Sequence, residues 1–446
     1  MRSSVSWLRL RNTLTGLTKI HVSTSSRRWI FSSGCAYQQA QPNSQNPVFF
    51  DHRPAQLSVT PLVDTSVPAH LPVVNAKRTT ITRPREHTLD HEGFYYCVPP
   101  EQSDVIYGMS PNSGAFDMRH RTLQNLRFQW ELAKESAIMI RKPALEVMEY
   151  VKNTNFAHPV VRYVIYGREG SGRTCTLTHL LHFFKDEGFI LLHVPKISIW
   201  SRRYKEVQES KFKPGRIDLP LDSVEWLQHF LLQNGEHLRQ PNTKLVTHKT
   251  YVWSKREETP AGSPLSDIID VGIKRARYAN DCIGVLVEEL KRIVSESDHR
   301  VAVVMDVANA LFTPTTIPQV DKTTVPADRL SLFLHFRKTL KNDWKNGVVV
   351  TTIDRKGIVD LPLRFDGGGN QFPRYLLREE GWAVMDPFIP VLVNDYSDKE
   401  LTNCIDYNIE TRWLQHVNAG TQKGRDELKV VSQNNPETLR KLMSRL

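Results

Sequence analysis

The residues with the clearest chemistry are Gly167, Arg168, Glu169, Gly170, Ser171, Gly172, Arg173 and Thr174. They follow the apolar run 160–166 and lead into T-C-T-L-T-H-L-L-H-F-F, so a strand, a glycine-rich turn and a helix succeed one another. That is the setting required of the phosphate-loop pattern G-x-x-x-x-G-K-[ST]. Glycines let the backbone fold around phosphates with its N–H groups inward, and the helix N-terminus adds positive potential. Thr174 stands where a hydroxyl would ligate Mg²⁺. Arg173 departs from the pattern: it keeps the charge of the usual lysine, but its planar fork is not a compact point charge. Binding therefore rests on the backbone amides, and hydrolysis is the activity most affected.

A metal-side partner lies further along. The run H-R-V-A-V-V-M-D ends in Asp306, the form of a strand whose carboxylate contacts Mg²⁺, usually through water. The next residue is Val307, where many ATPases carry a catalytic Glu; Asn309 is a candidate to orient a water. No N-K-x-D guanine-reading motif occurs. The motifs thus specify a nucleotide and magnesium, and leave open which base is bound and whether it turns over.

Other constellations are weaker. His179 and His182 lie one helical turn apart, a spacing that suits a metal pair, but no third ligand is evident and helix packing is the better reading. The aromatic-basic stretch Y-V-W-S-K-R-E (residues 251–257) is suited to stacking on RNA or docking a protein. There is no G-x-S-x-G nucleophile elbow. Five scattered cysteines without a CxxC pair argue against a disulfide framework or structural zinc, and suit a reducing interior.

These residues need a scaffold. Apolar strand-length runs fall at 160–166, 189–194, 301–306, 348–353 and 388–393. Helical periodicity lies between them, near 174–185, 221–238, 265–295, 326–342 and 397–413. Continuous apolar strands alternating with helices predict an α/β fold whose parallel sheet is covered on both faces. The expected organisation is a leader over 1–34, a Pro-rich extended arm over 35–118, a P-loop nucleotide-binding domain over 119–355 and a C-terminal α/β-to-helical part over 356–446.

Charge agrees with that division. The 446 residues carry 59 Lys and Arg against 48 Asp and Glu, a net +11. Residues 1–50 contain six basic residues and no acid, which leaves +5 on the remaining chain. An acid-free, Arg- and Ser-rich start with Trp7, Leu8, Leu10, Leu14 and Leu17 on one side has the composition of a mitochondrial transit peptide. The mild excess beyond it permits contact with a polyanion without requiring one. Residues 35–111 hold ten of the 26 prolines, a composition that cannot offset its ordering entropy alone and reads as an arm that orders against a partner. No window approaches the ~18 apolar residues of a membrane span.

Several blocks occur in a recognisable order: R-K-P-A-L-E-V-M-E-Y-V-K-N-T-N, R-Y-V-I-Y-G-R-E-G-S-G-R-T, Y-V-W-S-K-R-E with G-S-P-L, L-K-N-D-W-K-N-G, D-P-F-I-P-V-L-V and R-W-L-Q-H. Together, over about residues 119–446, they resemble the death-associated GTP-binding protein family of the mitochondrial ribosomal small subunit. The resemblance implies an AAA+-like P-loop NTPase fold with a helical C-terminal part. It also implies GTP or GDP with Mg at residues 167–174 and Asp306. The implied partners are small-subunit proteins and rRNA in the mitochondrial matrix, with contact to the large subunit across inter-subunit bridges. On this reading the nucleotide is mainly a structural cofactor supporting subunit assembly and translation. The alternatives are a pro-apoptotic signalling adaptor and a free P-loop NTPase; Arg173 and Val307 argue against the latter.

Overall fold

The computed structural model describes residues 74–107, 121–195, 197–239, 244–319, 321–359 and 371–444. The expected leader, 1–34, lies outside the described residues. Five strands form one sheet: β1 (Val161–Tyr166), β2 (Ile190–Val194), β3 (Val301–Met305), β4 (Gly347–Thr352) and β5 (Ile389–Leu392). Their spatial order is β5-β1-β4-β3-β2, and every pairing is parallel. All five fall on the apolar runs read from the sequence.

Period-2 alternation along each strand builds two cores from one sheet. In β3, Val301, Val303 and Met305 face one core, and Ala302 and Val304 face the other. The first core is closed by α3 (Pro220–Arg239), α4 (Leu265–Lys274), α5 (Ala279–Glu296), α6 (Ser331–Thr339) and α7 (Pro373–Met385). The second is closed by α1 (Lys142–Lys152) and α2 (Arg173–Asp186), through Val147, Met148, Leu180 and Phe183. Burial on both faces explains why the strands read as unbroken apolar runs. The edge strand β5 is the exception: Ile389, Pro390 and Leu392 are exposed, and Pro390 removes a donor where a further strand would pair.

Two departures from the sequence reading have physical causes. The helix expected over 265–295 is broken by a 3₁₀ turn at Ala276–Tyr278. The break folds α5 back so that Ile268 and Ile269 of α4 and Leu286, Leu290 and Ile293 of α5 enter one core. Within the span read as an extended arm, Tyr95–Cys97 pairs antiparallel with Ala137–Met139. Tyr95, Cys97, Ala137 and Met139 share a third core with α8 (Asp398–Glu410), α9 (Gln422–Ser432) and α10 (Pro436–Met443), while Tyr96 and Ile138 face the second core. Tyr95 stacks on Tyr407, centroids 4.1 Å apart. Aromatic side chains supplied by both partners thus give that segment a surface to order against. Among the described residues no helix is long and apolar enough to cross a membrane.

Candidate functional site

The strand order sets the geometry. β1, which leads into the glycine-rich loop, and β3, which leads into Asp306, are separated by β4. Their C-terminal ends open onto a cavity of about 940 Å³, where ligands of open α/β sheets bind. Glu169, Gly170, Gly172, Arg173, Thr174 and Asp306 all line it. Gly167, Arg168 and Ser171 of the same motif do not. Arg168 turns outward to Asp395 (3.3 Å) and Gln433 (3.1 Å), and Ser171 is wholly buried.

The metal-side pair is assembled. Thr174 Oγ1 donates to Asp306 Oδ2 at 3.3 Å, and Thr352 of β4 donates to the other carboxylate oxygen. The backbone then bends sharply: Val307 has φ +60°, a left-handed conformation that costs a β-branched residue on the order of 1–3 kcal/mol. Its N–H is held by Thr352 Oγ1 at 2.9 Å. This strained turn fixes the Asp306 carboxylate between two hydroxyls. Oxygen donors of this kind suit a hard divalent cation, with phosphate and water completing the shell. Among the described residues no group of three or more His, Cys, Asp or Glu forms a metal cluster.

The phosphate side fits equally well. Gly172 is the N-cap of α2 with φ +98°. The first N–H groups of a helix have no intrahelical partner, so those of α2 are available to an anion at the cavity floor. Arg173 is mostly buried, and its guanidinium donates to the Ile353 carbonyl and the Asp354 carboxylate. The cation of the motif is therefore bound to the end of β4. Asn309 does not orient a water: it is fully buried, and both ends of its amide hold the Asp354 backbone, at 3.0 and 2.8 Å.

The far wall comes from residues without a motif. Asn435, the N-cap of α10, donates to the Glu169 carbonyl at 2.9 Å, and the Glu437 N–H donates to the Gly170 carbonyl at 3.1 Å. Gly170 has φ +81°, and a Cβ there would lie 2.6 Å from Asn435 Oδ1, so the close approach of α10 requires glycine. Arg440 and Lys441 follow on the same helix and line the cavity, as does Lys356, whose ammonium meets Glu169 at 2.5 Å. Beneath the loop, Arg141 donates to the Ser171 carbonyl at 2.5 Å, to Glu400 at 2.9 Å and to the Asn394 carbonyl at 2.9 Å. Burial opposes its charge, but Glu400 overrides this and holds the guanidinium pKa above its usual value. Glu400 also completes the capping box of α8 with Ser397. Arg141 opens the block R-K-P-A-L-E-V-M-E-Y-V-K-N-T-N, and nothing in its local surroundings marks it for a role at the loop. The S-x-x-E spacing of Ser397 and Glu400 marks a helix start, but nothing in it reports a partner 259 residues away.

Behind the loop, the two α2 histidines pack against residues 87–102. His179 Nε2 lies 3.0 Å from His87 Nδ1, and His182 lies 3.2 Å from the Tyr96 hydroxyl and 3.1 Å from Gln102. Desolvation, reinforced by His87, depresses the His182 pKa to about 4, so the ring is neutral in the folded protein near neutrality.

Comparison with known proteins places the chain among mitochondrial ribosomal proteins. The family model described as mitochondrial ribosomal death-associated protein 3 matches residues 138–442. The chain is 36% identical over 405 residues to the small ribosomal subunit protein mS29 of Bos taurus, covering 90% of this chain and 96% of the relative. It is 35% identical over 392 residues to the protein of that name from Mus musculus, covering 87% and 94%.

Proposed function

The chain belongs to the mitochondrial ribosomal death-associated protein 3 family, and from that premise we propose that it is a structural GTP-binding component of the mitochondrial small ribosomal subunit. The observation that carries the nucleotide half of this reading is the double attachment of the glycine-rich loop. Its floor is the N-terminus of α2, and its carbonyls are held by α10 and Arg141. A nucleotide in the cavity touches the sheet domain and the C-terminal helices at once, and so acts as part of the fold. The strand order β5-β1-β4-β3-β2, with the acid strand one removed from the loop strand, supports an AAA+-like P-loop domain.

The phosphates would lie on the free N–H groups of α2, with Arg440 and Lys356 as added cations. Mg²⁺ would be held by Thr174 and Asp306, where it supplies neutralising charge. Guanine as the base follows from the family resemblance. Val307 places no carboxylate beside Asp306 to activate water, so turnover is slow or absent. Supporting subunit assembly and translation is then a matter of holding the C-terminal helices and the segment around Tyr95 in one shape. The acid-free leader over 1–34 directs the chain to the matrix.

The test is to purify the protein from native small subunits, denature it and identify the released nucleotide by chromatography. GDP or GTP near one per chain, with hydrolysis well below the ~1 per second of an ordinary enzyme, is expected. An empty protein whose melting point ignores added GDP and GTP overturns the nucleotide half. Failure to co-sediment with small subunits overturns the ribosomal half.

A further inference from the structure

The stretch Y-V-W-S-K-R-E forms an antiparallel hairpin, Tyr251–Ser254 with Glu257–Thr259, and Lys255 and Arg256 form its tip. It belongs to no part of the nucleotide cavity. One buried group anchors it. Glu289 of α5 has no exposed surface and accepts from the Tyr251 hydroxyl at 2.6 Å, from His248 Nδ1 at 2.6 Å and from Arg292 at 2.9 Å. A buried carboxylate is tolerated only with such partners, so the hairpin is held in one orientation on the body. Trp253 lies between Tyr251 and Tyr278, with centroids 6.2 and 6.4 Å away.

Around this aromatic row sits a concentration of positive charge. Lys249 lies 5.3 Å over the Tyr251 ring, and the Arg277 guanidinium 4.5 Å over Tyr278. Stretches 249–259 and 270–278 carry six cations against three carboxylates, a local excess of three within a region that spans twenty residues. Of those acids, Glu257 is shared by Arg275 and Arg277, and Asp270 by Lys274. Lys255 and Arg256 are exposed and have no acidic partner among the described residues. The occupant of this face follows from what it lacks. A protein interface needs a buried apolar centre, and Val252 is the one large hydrophobic residue of the hairpin that is well exposed. A rigid, cation-rich, apolar-poor face matches a phosphate backbone.

We propose that the 251–259 hairpin, with Lys249 and Arg277, is an rRNA-contacting surface, gripping the phosphates of a strand through Lys255 and Arg256. The inference uses the ribosomal placement of the family and is independent of the nucleotide site.

The test measures binding of the full chain to a fluorescein-labelled 20-nucleotide single-stranded RNA across a salt series. Each phosphate contact on single-stranded RNA contributes a slope of about 0.7 in log K against log salt. Lys255→Ala with Arg256→Ala should therefore make the slope shallower by about 1.4, while Lys255→Arg with Arg256→Lys should keep it. Because both residues are exposed, the melting temperature and nucleotide content should not change. The same peptide in intact small subunits should carry a nucleotide adduct after ultraviolet cross-linking. An unchanged slope in the alanine variant, absence of RNA binding by the wild type at low salt, or cross-links from this peptide to protein alone would each overturn the proposal. An empty nucleotide site with a normal RNA slope would sink the cofactor reading and leave this one standing.

Discussion

The two walls of the cavity are built by different means. On the strand-end wall, Asp306, Thr352 and Asp354 stand at the ends of neighbouring parallel strands, and Arg173 and Thr174 open α2 just after the loop that follows β1, so the sheet register brings them together. On the helix wall, Asn435, Glu437 and Arg440 come from the last helix of the chain, and Arg141 with Glu400 binds that region to the loop from below. Both walls contain a buried arginine paired with a carboxylate, Arg173 with the half-buried Asp354 and Arg141 with the buried Glu400. Arg173 joins the start of α2 to the end of β4 within the sheet domain, whereas Arg141 joins the loop to the C-terminal helices. The first wall keeps its shape with the sheet. The second keeps it only while the C-terminal helices stay docked.

The largest effect should therefore come from Arg141→Ala. Removing one partner of a buried ion pair costs about 3–5 kcal/mol, and here it also leaves the Ser171 and Asn394 carbonyls without a donor. Thermal denaturation should show a drop on the order of 10 °C, together with early proteolysis of residues 397–443. A loss no larger than that of an exposed control such as Lys399→Ala would mean that the two walls are not separately braced.

The contrast also accounts for what the sequence could reveal. Strands and the glycine-rich loop are encoded locally, by apolar runs and by eight consecutive residues, and Asp306 by its place at the end of one run. Each can be read within a window of a dozen residues. The helix wall depends on side chains hundreds of positions from the loop. Arg141, Glu400, Asn435 and Arg440 have ordinary local surroundings, and Asn435-Pro436 reads only as a helix start. The same is true of the segment around Tyr95, whose proline-rich neighbourhood suggests an arm and whose packing partners, Tyr407 and the α2 histidines, lie far along the chain. Asn309 shows the reverse failure. Its position beside Asp306 suggested chemistry, and its amide is used to hold the backbone of Asp354.

The support behind the loop can be tested by pH. His182 has its pKa depressed from 6.5 to about 4, mainly by burial. Between those values the unfolded chain binds more protons than the folded one, so stability rises with pH across that window and falls as pH drops from 6.5 toward 4. At 1.36 kcal/mol per unit, the contribution of this ring alone is on the order of 3 kcal/mol by pH 4. Urea midpoints measured at pH 7 and pH 4.5 should separate clearly, and His182→Gln should reduce the separation. If the two proteins lose stability in parallel, the packing of residues 87–102 on α2 is not what the acid disrupts.

A smaller loss is expected at the seam between the walls. Gly170→Ala places a Cβ 2.6 Å from Asn435 Oδ1 and asks alanine to hold φ +81°. The cost should be about 1–3 kcal/mol, expressed chiefly as release of α10 and read as faster amide exchange over 436–443 than over 331–339. Asn435→Ala should release the same helix, and combining the two should cost less than their sum, since both remove one contact. Strict additivity would mean that the loop strains on its own account and α10 is a bystander.

The finest distinction concerns which arginine meets the phosphates. Arg173 occupies the motif position but is engaged by Ile353 and Asp354. Arg440 lines the cavity one turn beyond Glu437, whose carboxylate feels its charge, and forms no ion pair within 4 Å among the described residues. A guanidinium that must leave a hydrogen-bonded carboxylate to reach a phosphate gains little by moving, whereas one outside any close ion pair gains most of the charge-assisted hydrogen bond. Arg440→Ala should therefore weaken GDP binding by about tenfold, equivalent to 1.4 kcal/mol, with the melting temperature of the nucleotide-free protein unchanged. Arg173→Lys should shift affinity much less and lower stability instead, because lysine cannot span both the Ile353 carbonyl and Asp354. Calorimetric titration of GDP into the two variants separates these outcomes. If Arg173→Lys strengthens binding tenfold and Arg440→Ala leaves it unchanged, the strand-end wall alone holds the phosphates, and the C-terminal helices only close over them.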